Sequence, residues 1–494
     1  MKPSSRALCL LACTPLTLAA AERITVIGDS LTKEYQITFV GLPGVIDGID
    51  NTQPFARNWA EILHERRNAH FDLGQFKNSP FLNQWSDLRL LGHEYNWAVP
   101  GATARALRNM VTGQDIAEIT GDSDFSTFIA FAPDWAQTSA RMTAQVQSTS
   151  AAAVIWCGGN DLRYGNTDPT CQVGGTPITY QTIYNGNGTG AGNPQPLMAS
   201  LKASIQALAQ HMKTARPALP IVVCAVPHVG GTPAVRAIAP TDAARTGRVS
   251  TALRTLNAEL QAWTETTLGG VWVDTYTLTE SLTTAATLTY GGVTFQNAPD
   301  SKSAGDPPAA HHRFLYSHDG FHPGTTLHAF VAKQVQAALK AKAPPVFGTS
   351  PDLTDREIIT DLLGIPADTG FNEFMAASGA PAGQRGPGDN PDGDPLTNLA
   401  EFYLAGNSPF PGGPVVQPAA GYLPATATAT LTWTPRFDDN IFATAICQSS
   451  TDFINWDEVP AAQITTNPDG SRTASVPGQG RPAVYLRLKI IATP

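Results

Sequence analysis

Three short stretches carry the residue types that acyl transfer needs. The run Ile24-Thr25-Val26-Ile27-Gly28-Asp29-Ser30-Leu31-Thr32 is β-prone until it stops at Gly-Asp-Ser. It reads as a buried strand ending in a tight turn, with a serine at its carboxyl end. Ligands of open parallel sheets sit at such ends. A serine there is either a helix N-cap, a position it favours, or a nucleophile. Asp319-Gly320-Phe321-His322 sets a carboxylate three residues before an imidazole. A serine hydroxyl is a weak nucleophile until a base takes its proton, and His322 is the candidate base. Asp319, in a turn, is close enough to hold one imidazole tautomer and to stabilise the imidazolium. Gly158-Gly159-Asn160-Asp161 follows another apolar run and offers, at Asn160, a side-chain N–H with no competing charge.

The elements that must position these residues alternate. Strand candidates at 23–28, 93–98, 153–157, 221–226 and 271–275 interleave with helix candidates at 55–67, 134–149, 197–215, 242–267 and 325–342. This predicts a parallel sheet with helices on both faces. Trp59, Ile62 and Leu63 fall on one face of the first helix as a packing stripe. Three connections are long, at 34–54, 162–196 and 276–318. Each follows the carboxyl end of a strand and so belongs on the catalytic edge, where long loops serve function. The middle one carries Tyr164, Tyr180 and Tyr184, aromatics fit either to stack on sugar rings or to form the loop's own small core.

Asn96-Trp97-Ala98-Val99-Pro100-Gly101-Ala102-Thr103 adds a fourth segment. In this order, the four resemble the four sequence blocks of the GDSL, or SGNH, hydrolase family, over roughly residues 23–342. The resemblance implies an α/β fold, a three-layer α/β/α flavodoxin-like sandwich. It also implies that Ser30 attacks the acyl carbon, that His322 is general base and then acid, and that Asp319 orients it. The oxyanion donors would be the backbone N–H groups of Ser30 and Gly101 and the side-chain amide of Asn160. Gly101 suits this because it has no Cβ to block close approach. Asp29 and Asp161 would be structural, fixing turns. Among the rival histidines His228, His311, His312 and His318, none has both an Asp at minus three and the flanking Gly and Pro of His322. The Gly-x-Ser-x-Gly elbow of the other large esterase fold is absent around Ser30. The activity implied is hydrolysis of carboxylic esters through an acyl-enzyme, with no cofactor for catalysis. The leading substrate is an O-acetyl ester of carbohydrate, such as an acetylated polysaccharide. The alternatives are a lipase or lysophospholipase of the same fold, and a non-catalytic surface-binding protein on a hydrolase scaffold.

The chain's 494 residues call for two or three domains. A net charge of −9 without a basic run argues against nucleic acid as a partner. Residues 1–21 read as a secretory signal: Lys2 and Arg6, an apolar stretch from Ala7 to Leu18, then Ala19-Ala20-Ala21 before Glu22. The protein is expected to be secreted or periplasmic, with lipid anchoring through Cys13 as the alternative. No later segment is long and apolar enough to span a bilayer. Of the four cysteines past the signal, Cys157 and Cys224 end apolar strands as buried thiols, and a Cys157–Cys171 bridge is a minority reading. The catalytic domain is drawn at 22–345, a linker at 346–412 and a small antiparallel β domain at 413–494, where Val484, Leu486, Leu488 and Ile490 alternate with polar residues. Within the linker, Asn390, Asp392, Asp394 and Glu401 fall at positions 1, 3, 5 and 12 of a calcium loop, resembling EF-hand and dockerin-like repeats. Pro395 stands where such loops want glycine. A structural calcium ion is the expectation weighed there against a plain polar linker.

Overall fold

The strand that ends at Ser30 pairs into a four-stranded parallel sheet. The computed structural model describes residues 22–35, 55–77, 85, 87, 92–114, 135–166, 168–303, 305–408, 413, 415–437, 440–478, 480 and 483–493. The expected signal sequence, Cys13 and most of the 34–54 connection lie outside the described residues. Strands β1 (Ile24–Gly28), β2 (Ala152–Trp156), β3 (Ile221–Cys224) and β4 (Val271–Val273) lie side by side in that order, all parallel. They are flanked by α1 (Trp59–Arg66), α2 (Ala104–Val111), α3 (Trp135–Ser148), α4 (Gln195–Ala215), α5 (Ala243–Trp263) and α6 (Thr325–Lys342).

Period two divides each strand between two cores. Ile27, Ala153, Ile155, Ile221 and Val223 pack with residues of α2, α3, α4 and α5. Ile24, Val26, Val154, Trp156 and Val222 pack with α1 and α6, where Trp59, Ile62 and Leu63 are buried as the stripe predicts. Both faces are covered, which is why the strands are apolar almost throughout. The sheet and its two helical layers are the expected α/β/α sandwich.

The predicted strand at 93–98 is not a regular one. Tyr95, Trp97 and Val99 do bond along β1, with Trp97 N–H donating to Val26 O at 2.8 Å and Val99 N–H to Gly28 O at 2.9 Å. Asn96 makes only an isolated bridge to Val26. Its side-chain oxygen accepts from Ala98 N–H at 3.0 Å, a local turn that takes the backbone out of the ladder.

The connection 276–318 holds a small sheet instead of a loop. Strands β5 (Thr287–Tyr290) and β6 (Val293–Pro299) form a hairpin through Gly291 and Gly292, both at positive φ. Two glycines between β-prone runs are a hairpin signal, so this element was readable. Strand β7 (Phe314–Tyr316) pairs parallel to β6 and leads directly to Asp319.

The described part of the expected linker, 346–408, packs into both neighbouring cores. Phe347, Leu353, Ile358, Ile359, Leu363 and Ile365 are buried in the core shared with α1 and α6. Arg67 clasps Glu357 through two hydrogen bonds of 2.8 and 2.5 Å, and Lys333 pairs with Asp355 at 2.6 Å. Helices α7 (Thr369–Ala377) and α8 (Asn398–Tyr403) bury Phe371, Met375, Phe402 and Tyr403 in a third core with Leu431, Trp433 and Val476. The Gly, Pro and Asp content of 380–395 suggested a linker, but apolar residues on either side of it carry the packing. The final strands form two antiparallel sheets, one spanning Ala419–Pro477 in four strands and one spanning Ala443–Ala492 in three. Val484, Leu486, Leu488 and Ile490 face the third core, as their alternation predicts. Cys157, Cys171, Cys224 and Cys447 are buried free thiols, so the Cys157–Cys171 bridge is not formed. Among the described residues, no helix is long and apolar enough to cross a membrane.

Candidate active site

Ser30 and His322 are 292 residues apart, and the fold brings them within one hydrogen bond. His322 Nε2 lies 2.8 Å from Ser30 Oγ, and His322 Nδ1 lies 2.5 Å from Asp319 Oδ2. Ser30 is buried at the carboxyl end of β1. The Asp–His turn follows β7 and is closed by Ser317 N–H donating to His322 O at 2.9 Å. Asp319 Oδ1 accepts from Ser317 Oγ at 2.8 Å, Phe321 N–H at 2.8 Å and His322 N–H at 3.0 Å. Burial pushes the Asp319 carboxyl up, but the hydrogen bond and charge of His322 and the two backbone N–H groups outweigh it, so the net shift is downward. The carboxylate stays ionised beside the imidazole.

Asn160 opens the short helix Gly159–Tyr164 just past β2. Gly158 precedes it at φ 109°, a backbone state that only glycine takes without strain. The Asn160 amide donates to Ala102 O at 3.1 Å, leaving its second N–H for another acceptor. Gly101, at φ 74°, is the residue before Ala102, so the Asn160 bond brings the second and third blocks together. Asp161 fastens the same joint: its Oδ2 accepts from Ala104 N–H at 2.8 Å at the start of α2. Asp29 Oδ1 accepts from Leu31 N–H at 2.9 Å and shapes the serine turn. Burial raises Asp29 to about 6 and Asp161 to about 7.

Of the rival histidines, His311, His312 and His318 lie by Asp300 or Leu363, whereas His228 lines the cavity beside Ser30. His311 pairs with Asp300 at 2.6 Å, and His312 bonds Leu363 O at 2.9 Å. His318 is 4.0 Å from Asp300. His228 is buried, 3.0 Å from Ser250 Oγ, and burial holds it down to about 4. Tyr180 and Tyr184 are stacked at 6.2 Å and buried in the core shared with α4 and α5, so they offer no surface to a sugar, whereas Tyr164 is half-buried.

Sequence reasoning missed the residues that hold Ser30 in place. The turn after it ends in carbonyls that two buried amides grip through three hydrogen bonds. Asn96 and Asn58 amides both donate to Thr32 O, at 2.8 and 3.0 Å, and Asn58 also donates to Lys33 O at 2.7 Å. Tyr35 O–H donates to Pro323 O at 3.1 Å and meets His328 Nε2 at 2.8 Å, tying the serine turn to the residue after His322. The pair Asn58 and Glu61, an N-cap with an acid three residues on, was the readable signal. Beside Ser30 and Asn160 lies a cavity of about 40 Å³ walled by Trp156, Val229, Leu278, Leu327 and Val331.

Residues 24–335, more than half of the chain, match the family described as GDSL-like Lipase/Acylhydrolase. No curated protein matches the chain. An acetyl esterase mutant solved with acetate ion is 13% identical, over 66% of this chain and 99% of its own, with a TM-score of 0.30. A carbohydrate esterase family 3 protein from Talaromyces cellulolyticus is 12% identical over 66% and 99%, with a TM-score of 0.30. An extracellular lipase from Streptomyces rimosus is 15% identical over 65% and 100%, with a TM-score of 0.31. The family match spans all four motif blocks, and the chain accordingly belongs to the GDSL-like lipase/acylhydrolase family and is a carboxylic ester hydrolase.

Proposed function

We propose that the protein cleaves short-chain carboxylic esters through an acyl-Ser30 intermediate, with an O-acetyl group on a carbohydrate as the leading substrate. The observation that carries this reading is the Ser30–His322–Asp319 hydrogen-bond chain beside a small apolar cavity. His322 Nε2 takes the Ser30 proton as Oγ bonds the acyl carbon. The resulting oxyanion is held by the Ser30 and Gly101 backbone N–H groups and the second Asn160 amide N–H. Each such donor is worth about 3–4 kcal/mol in the transition state. His322 then hands the proton to the leaving alkoxide as the C–O bond breaks. Water then bonds the acyl carbon as His322 takes its proton, and the acyl–Oγ bond breaks as His322 returns that proton to Ser30, releasing the acid. Asp319 stays ionised throughout and stabilises the imidazolium.

The cavity supports the short acyl group. A volume of about 40 Å³ holds a few water-sized spheres, which suits an acetyl or other short acyl tail. Its apolar wall is the one observation favouring a lipase or lysophospholipase, and its size counts against it. Export rests on the amino-terminal sequence alone, with its charged start, apolar run and small residues before Glu22.

Hydrolysis of p-nitrophenyl acetate, butyrate and octanoate by wild type and Ser30→Ala tests the proposal. Acetate and butyrate turnover that falls at least about 10³-fold in the variant is expected, with octanoate poor in both. Equal rates in the two proteins would overturn Ser30 as nucleophile. A preference for octanoate would overturn the short-chain assignment.

A further inference from the structure

We infer that the loop before α8 is a structural calcium site which clamps the third core. The ligand oxygens of Asp392, Asp394 and Glu401 all lie within 4.8 Å of one another. Two of these carboxylates are half-buried, whereas Glu401 is only 1% exposed and neither of its oxygens has a hydrogen-bond partner. A buried carboxylate with no donor is costly, and placing two more beside it compounds the cost unless a cation shares the site. The neighbouring guanidinium does not satisfy the carboxylate, because Arg436 donates to the backbone oxygens of Glu401 at 2.9 Å and Phe402 at 3.1 Å.

A second buried oxygen in the same loop lacks a partner. Asn398 is fully buried, and its amide nitrogen donates to Gln384 O at 3.0 Å and Gly386 O at 2.8 Å. Those two acceptors define which end of the amide is nitrogen, and the Asn398 oxygen is left without a partner. With Asn390 as position 1, Asp392, Asp394, Asn398 and Glu401 stand at positions 3, 5, 9 and 12, the side-chain ligand positions of a twelve-residue calcium loop. Pro395 does not prevent this, because the chain makes its left-handed turn earlier, at Gly393 with φ 76°. An all-oxygen donor set with three carboxylates suits a hard divalent ion, and a loop with a buried Glu at its end suits calcium over magnesium. The ion would tie residues 390–394 to α8. That helix carries Phe402, which packs edge-on to Phe371 at 5.6 Å within the third core.

Thermal unfolding of EDTA-stripped full-length protein, read with and without added Ca²⁺ or Mg²⁺, tests the site. Saturating Ca²⁺ is expected to raise the melting temperature of wild type by about 5 °C or more, with a smaller shift from Mg²⁺. Glu401→Gln removes a like charge, so in EDTA it should melt no lower than wild type and yet gain almost nothing from Ca²⁺. Asp392→Asn, at a half-buried position, should need at least about tenfold more Ca²⁺ for the same shift. Wild type that does not respond to Ca²⁺ would overturn the inference, as would variants that keep the full response. An equal shift from Mg²⁺ would overturn the choice of calcium.

Discussion

Asp319 owes its orientation to three donors on one oxygen, which leaves the other for His322. Asp319→Asn would set an amide N–H against the imidazole Nδ1–H, or force the opposite tautomer. We expect kcat to fall about 10³–10⁴-fold with KM little changed, measured on p-nitrophenyl acetate. The buried acids away from the relay act on stability instead. Asp161 is raised from 3.8 to about 7, so between those values the folded protein holds a proton that the unfolded chain has lost. Its contribution to stability therefore falls as pH rises from about 4 to about 7, and the full cost is present above that window. Asp161→Asn keeps an oxygen for Ala104 N–H and removes the titration. Relative to wild type it should gain on the order of 1–3 kcal/mol between pH 4 and pH 8. Urea midpoints at the two pH values measure this, and an unchanged difference would contradict the assigned burial cost.

At the scale of elements, α1 does two jobs through its cap residue, Asn58. Asn58 Oδ1 accepts from Ala60 N–H at 2.9 Å and Glu61 N–H at 3.0 Å, while its amide grips Thr32 and Lys33. Glu61 closes the box on Asn58 N–H at 2.8 Å and also accepts from Tyr35 N–H at 3.0 Å. The helix cap is thus an anchor of the nucleophile turn. Asn58→Ser keeps a cap oxygen and loses both donors to the turn. Stability should drop by about 1–3 kcal/mol, and kcat/KM should drop with it as Ser30 loses its fixed position. Calorimetry together with ester kinetics separates this from simple loss of a cap, which would leave the rate of the folded enzyme unchanged. Long periodic elements were legible: four of the five helix candidates match within two residues at their starts. The helix expected from 55 begins at Trp59, because Asn58 is its cap. The strand expected at 93–98 failed for the reason that makes it useful, since Asn96 spends its oxygen on local backbone and its amide on Thr32.

At the scale of the molecule, the catalytic layers do not end where α6 ends. Phe347, Leu353, Ile358, Ile359, Leu363 and Ile365 complete one core of the sandwich, so a chain cut after residue 345 would expose it. We expect a 22–345 fragment to aggregate or to unfold well below the full-length protein, and a 22–366 fragment to be the more soluble of the two. Sedimentation and thermal melts of both decide the point, and a stable, monodisperse 22–345 fragment would restore the earlier boundary. Period two in the strands, period 3.6 in the helices and the identities of Ser30, Asn160, Asp319 and His322 were all present in the chain itself. Local backbone physics and intrinsic residue chemistry suffice for those, since neither depends on distant contacts. They determined the α/β class, the all-β end and the residue types of the proposed relay. Whether Tyr180 and Tyr184 face solvent or a core, whether 346–412 hangs free or packs, and which amides hold the serine turn depend on residues tens to hundreds of positions away. Those outcomes are set by burial and by the pairing of buried polar groups, which only the assembled tertiary structure decides.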